Sequence, residues 1–130
     1  RKRGFDDQRE QDLSNIANCV ENYAQQFKRL PESLDELEKS SAFSYCASKR
    51  DPETKQPYSY RITDKGSQIG TNLEAEFELC ATFSLESEDN ENYNRGYSYY
   101  GANQKWQQHK AGLDCDTETV VIKTSPNGNQ

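Results

Sequence analysis

The segment Asp12 to Leu30, DLSNIANCVENYAQQFKRL, constrains this chain most. Leu13, Ile16, Ala17, Val20, Tyr23, Ala24, Phe27 and Leu30 recur in steps of three and four. That spacing draws one apolar stripe down an α-helix. Asn15, Asn18, Glu21, Asn22, Gln25 and Arg29 fall on the opposite side. Leu30-Pro31 is expected to stop the helix, because the residue before a proline is pushed out of helical geometry. A helix with a single apolar stripe has to lie on another element. The alternating segments downstream supply it. The expected fold class is α+β: one N-terminal helix packed across a small antiparallel β-sheet.

The stripe also sets how much core is available. Only 32% of the 130 residues are apolar and 29% are charged. Eight Tyr, five Phe and one Trp nevertheless exceed what a disordered chain carries. One domain with a thin, largely aromatic core follows, spanning residues 1–130. Thin cores are commonly stapled. Cys19, Cys46, Cys80 and Cys115 are even in number and contain no C-x-x-C pair. With a single His in the chain, disulfides are preferred over a zinc site. Disulfides point to an oxidising compartment. The net charge of −6 argues against nucleic acid as a main ligand. No apolar run is long enough to span a membrane, and the polar start at Arg1 reads as a mature or trimmed fragment.

Taken in order, residues 1–30 form the helix, expected from about Phe5 to Arg29. Asp6, Asp7 and Glu10 would suit its first turns, where the macrodipole favours anions. Residues 31–50 form a connection with a short second helix, started by the capping box Ser33-x-x-Glu36. A turn at Asp51–Pro57 leads into a hairpin over residues 57–85. Its first strand carries Tyr58, Tyr60 and Ile62, and residues 64–72 are read as the connection. In the second strand Ala75, Phe77, Leu79, Ala81, Phe83 and Leu85 alternate with Glu74, Glu76, Glu78, Cys80, Thr82 and Ser84. Residues 86–124 form a flap and a last strand, Glu118 to Thr124, followed by a polar tail at 125–130.

Cys80 lies on the polar face of the second strand. A solvent-facing free thiol there would be reactive. Cys115 is the preferred partner, tying the flap to the outer face of the sheet, with Cys19 then bonded to Cys46. Sequence alone leaves three pairings open.

The inventory for catalysis is poor. His109 is the only His, no nucleophile elbow is present, and packing or surface exposure is the simpler role for that ring. Glu86, Glu88, Asp89 and Glu91 offer oxygens for Ca²⁺ but lack EF-hand spacing, so a solvated acidic loop is preferred and no cofactor is expected. Tyr93, Tyr97, Tyr99, Tyr100 and Trp106 are a candidate partner or glycan surface, with packing inside the flap as the alternative.

The order of parts resembles type IV pilins and type II secretion pseudopilins. It runs Leu30-Pro31, then Ser33 to Leu37, then Asp51 to Tyr60, then the strand ending Glu78 to Phe83. The match covers roughly residues 6–85. The segment Trp106…His109…Gly112…Cys115 also looks like extracytoplasmic proteins anchored by one helix. The pilin resemblance implies a long helix whose first, hydrophobic half is absent here, carrying an α+β head. It implies copies of the family as partners through that helix, a membrane anchor upstream, and a host or surface receptor as a further partner. It implies an extracellular fimbrial or periplasmic location, with inner-membrane anchoring before assembly. The expected role is a structural subunit in adhesion, motility, DNA uptake or secretion. The alternatives are a membrane-anchored binding domain that never polymerises and, least favoured, a small hydrolase.

Overall fold

The computed structural model describes residues 2–40, 42–86 and 108–123. Helix α1 spans Lys2–Phe27. Two short helices follow, α2 at Leu34–Lys39 and α3 at Ser44–Ala47. Three strands, β1 at Ser59–Ile69, β2 at Asn72–Phe83 and β3 at Gly112–Lys123, make an antiparallel sheet in the order β1-β2-β3.

The core lies where the stripe meets the sheet. Leu13, Ile16, Ala17, Val20 and Ala24 are buried against Ala75, Phe77, Leu79, Val120 and Ile122 in one cluster. Burying each of the larger side chains is worth about 1.5–3 kcal/mol. All five apolar positions of β2 from Ala75 to Phe83 are buried, as the alternation predicts.

The helix differs from expectation at both ends. It begins at Lys2 rather than near Phe5, so Asp6, Asp7 and Glu10 lie beyond its first turn. It stops at Phe27, before Leu30-Pro31. Lys28 adopts φ 64°, and its N–H bonds the Ala24 carbonyl at 2.8 Å. This left-handed residue terminates the helix. Phe27 is therefore 43% exposed, its ring tilted against Tyr23 with centroids 4.5 Å apart instead of joining the core. Leu30 remains buried after the turn.

The opposite side of α1 also needs correcting. Glu21 and Gln25 are half-buried, because that flank of α1 leans on β3. Gln25 Nε2 donates to the Val121 carbonyl at 2.6 Å, and Lys28 Nζ to the Lys123 carbonyl at 2.9 Å. Burial, with Glu118 nearby, raises the Glu21 carboxyl above its ordinary range. Arg29 is exposed but held by Glu36 through two bonds at 3.2 and 3.0 Å.

The N-cap half of the expected capping box forms: the Glu36 N–H donates to Ser33 Oγ at 3.1 Å. The Glu36 carboxylate accepts from the Glu32 N–H at 2.6 Å. Arg29 first, and that N–H second, hold it below the usual carboxylate range. The region expected to be loop between 40 and 51 contains the single turn α3, which carries Cys46 to its partner Cys19.

Residues 64–72 are not a loop. Strand β1 continues to Ile69 through register shifts between Ile62 and Asp64 and between Asp64 and Ser67. Gly66 permits the irregularity with φ 146°, and Gly70 makes the turn to β2 with φ 61°. Strand β2 ends at Phe83, short of the expected Leu85. Strand β3 starts at Gly112, six residues before the expected Glu118, and pairs with β2 along its whole length.

Candidate interaction site

Asp6, Arg9 and Asp12 continue the apolar stripe toward the N-terminus by steps of three, and all three are buried. The lower half of α1 therefore meets the rest of the domain through charges. The Arg9 guanidinium uses all five of its N–H donors. Nε and Nη2 bond Asp51 at 2.8 and 3.0 Å, Nη2 also bonds Glu53 at 2.9 Å, and Nη1 bonds Asp6 at 2.7 Å and Ser84 Oγ at 3.1 Å. Asp6 accepts in addition from the N–H groups of Ser84 and Leu85, each at 2.8 Å. Asp51 Oδ1 accepts from the N–H groups of Glu53 and Thr54 at 2.8 and 3.0 Å, shaping the turn before β1.

Asp51 decides the charge state of this cluster. Burial works to raise its carboxyl, and the bonds from Arg9, Thr54 and Glu53 overcome it, leaving the pKa lowered. The bond to Asp51 leads the interactions that raise the Arg9 pKa further, against burial. Beside them, Asp12 accepts from Tyr58 Oη at 2.7 Å and from Gln8 at 2.8 Å. Burial first, and Asp12 second, push the Tyr58 phenol well above its ordinary range.

His109 belongs to the same end of the helix. Its ring stacks on Phe83, with centroids 3.6 Å apart, and Nε2 lies 2.8 Å from Glu10 Oε2. Its side chain is 2% exposed. Arg3 donates to the Glu86 carbonyl at 3.2 Å. Arg3, Asp6, Arg9 and Glu10 thus bind the chain on both flanks of residues 87–107.

The second disulfide, Cys80–Cys115, joins residues directly opposite in the β2–β3 register. Its pairing is the expected one, but it links adjacent strands of the sheet. Cys115 is part of β3 rather than of a flap lying on the outer face. Glu78, Cys80 and Cys115 place possible ligand atoms within 4.8 Å of one another. The two sulfurs are bonded to each other, so neither offers a thiolate, and the trio does not fit a metal.

A groove of about 560 Å³ opens between the Asp51–Pro57 turn and the end of β2. Arg9, Asp51, Glu53, Tyr58, Thr82 and Leu113 are among its walls. Arg9 is saturated, so it holds the domain together rather than presenting a charge to a ligand. Tyr93, Tyr97, Tyr99, Tyr100 and Trp106 lie outside the described residues, as do Glu88, Asp89 and Glu91 of the acidic loop.

The charged cluster is the feature that sequence reasoning missed. Its signal is the spacing: positions 6, 9, 12, 13, 16 and 20 form one face, with charges where an apolar stripe would continue. No protein-family profile, no curated protein and no solved structure matches the chain. The two disulfides point to an oxidising, non-cytoplasmic location. Among the described residues no helix is long and apolar enough to cross a membrane.

Proposed function

We propose that the chain is the globular head of a filament subunit of the type IV pilin or type II secretion pseudopilin kind, acting in adhesion, motility, DNA uptake or secretion. The observation that carries this reading is the disposition of α1. Helix α1 lies with its apolar face from Leu13 to Ala24 on a three-stranded antiparallel sheet and has a second face exposed to solvent. Such a helix is held rigidly by its own head while remaining open to neighbours. The disulfide from α1 to α3 and the Arg9 cluster support a head that resists mechanical load. His109 serves packing in this reading, and the chain acts by assembling and presenting a surface. The subunit would be anchored in the inner membrane before assembly, then stand in a periplasmic or surface filament.

The test is fractionation of the producing cells. Shearing and pelleting should recover the chain in fibres that bind antibody along their length under electron microscopy. Recovery only as a membrane-bound, unassembled protein would replace this reading with an anchored binding domain.

A further inference from the structure

The two disulfides differ in what holds their ends together without the bond. Cys19 and Cys46 are 3% and 0% exposed, join α1 to the single turn of α3, and sit inside the core cluster. A thiol reaches that bond only when the core opens. Cys80 and Cys115 belong to neighbouring strands whose pairing runs from Asn72↔Lys123 to Phe83↔Gly112. The ladder continues on both sides of the bond, so the sheet keeps its register when the bond is open. By the alternation of β2, both cysteines lie on the face of the sheet away from α1. Their neighbours there, Ser59, Arg61, Thr82, Leu113 and Thr117, are exposed. Cys80 is 4% exposed, whereas Cys115 is only half-buried. The groove of about 560 Å³, walled in part by Ser59, Cys80, Thr82 and Leu113, opens beside the bond.

We infer that Cys80–Cys115 is a thiol-exchange site, opened by an external dithiol that attacks Cys115 Sγ, while Cys19–Cys46 stays closed. The more accessible sulfur takes the attack. The thiolate of the dithiol bonds to Cys115 Sγ, the Cys80–Cys115 bond breaks, and Cys80 leaves as a thiolate that takes a proton from water. The second thiol of the dithiol gives its proton to water and attacks its own partner sulfur in this mixed disulfide. That step closes the disulfide of the reagent and releases Cys115, which is protonated in turn. Two electrons and two protons have then passed from the dithiol to the protein. Glu78 governs the rate. Its carboxylate lies within 4.8 Å of both sulfurs, and a negative charge there disfavours the arriving and the departing thiolate. Arg61 Nε, 2.9 Å from Glu78 Oε1, offsets part of that charge. Exchange is a property of the single chain, whether or not copies assemble.

In the test, the oxidised chain is incubated with dithiothreitol at neutral pH, quenched with a maleimide at intervals and mapped by peptide mass. Cys80 and Cys115 should be labelled at least about tenfold faster than Cys19 and Cys46, because only the latter pair waits for the core to open. The circular dichroism of the sheet should be retained. Opening of both bonds at one rate, opening of Cys19–Cys46 first, or loss of the sheet signal overturns the inference. Glutathione, with a single thiol, should leave a mixed disulfide that mapping finds on Cys115. Finding it on Cys80 overturns the direction of attack. Glu78→Gln should speed opening by about threefold or more, and Arg61→Gln should slow it, with both differences shrinking at high salt. Folded variants that open at the wild-type rate overturn the control by Glu78.

Discussion

The two halves of α1 face the rest of the domain in opposite chemical languages. From Leu13 to Ala24 the buried face is apolar and meets the sheet through non-directional packing. From Asp6 to Asp12 it is charged and meets the turn before β1 and the end of β2 through directed bonds. The apolar half tolerates changes of shape so long as volume is kept. The charged half depends on completeness, because removing one member strands its partners without solvent. The upper half therefore supplies the stability, while the lower half fixes which backbone segments sit where.

The largest effects should come from breaking each half in its own terms. Val20 is fully buried, and Val20→Asp should cost about 4 kcal/mol or more and leave little folded protein by circular dichroism. Arg9→Met should cost about 3–5 kcal/mol, because Asp6 and Asp51 lose their cation inside the domain. Urea denaturation measures both. If Arg9→Met unfolds with the wild type, the lower half is not held by its charges. Adding Asp51→Asn to Arg9→Met should cost far less than the sum of the single changes, the mark of a coupled pair.

Next in size is the bond closing the base of the 87–107 segment. Cys80→Ala with Cys115→Ala should lower stability by about 2–4 kcal/mol. Hydrogen exchange should rise in the β2–β3 pairs near residues 80 and 115 more than in the middle of α1. Equal loosening in both places would mean the bridge serves the whole domain.

Gly66→Ala should cost about 1–3 kcal/mol. The position has φ 146°, and an added Cβ would lie 2.8 Å from Leu73 Cγ. Thermal melting reads it. A neutral outcome would show that the β1 irregularity can be reshaped at no cost.

The smallest effect is the most informative about charge. The raised Glu21 pKa means that the folded protein binds that proton more tightly than the unfolded chain. Glu21 therefore detracts from stability at neutral pH. Its penalty should lessen as pH falls through the raised pKa toward the ordinary carboxylate value. Asp51 has the opposite sign. Its lowered pKa contributes stability above its ordinary value of 3.8, lost as pH falls from there through the folded pKa. Glu21→Gln should raise the melting temperature at pH 7 and remove the gain seen on mild acidification. If it melts lower than wild type, Glu21 has a stabilising partner in the seam with β3.

Periodicity carried the upper half of α1 and the alternation of β2, and the Ser-x-x-Glu motif carried the cap at Ser33, because each is a local pattern read over a few residues. The side of the strand on which Cys80 falls favoured Cys115 as its partner. The helix stop at Lys28 was hidden, since a lysine in left-handed geometry leaves no mark in sequence. Strand β1 beyond Ile62 was hidden too. Its register shifts break the alternation, and only pairing with β2 reveals it as strand. The direct register of Cys80 with Cys115 came likewise from β3 starting at Gly112.

Sequence by itself determined that one helix stripe must be covered by alternating strands, because unburied apolar periodicity has no other stable outcome. Tertiary structure decided what the charges on that same face do. Asp6 and Arg9 are an ordinary i, i+3 pair until Asp51, Glu53 and Ser84 arrive from 42, 44 and 75 residues away. A buried charge is allowed only by partners that no local pattern can foresee.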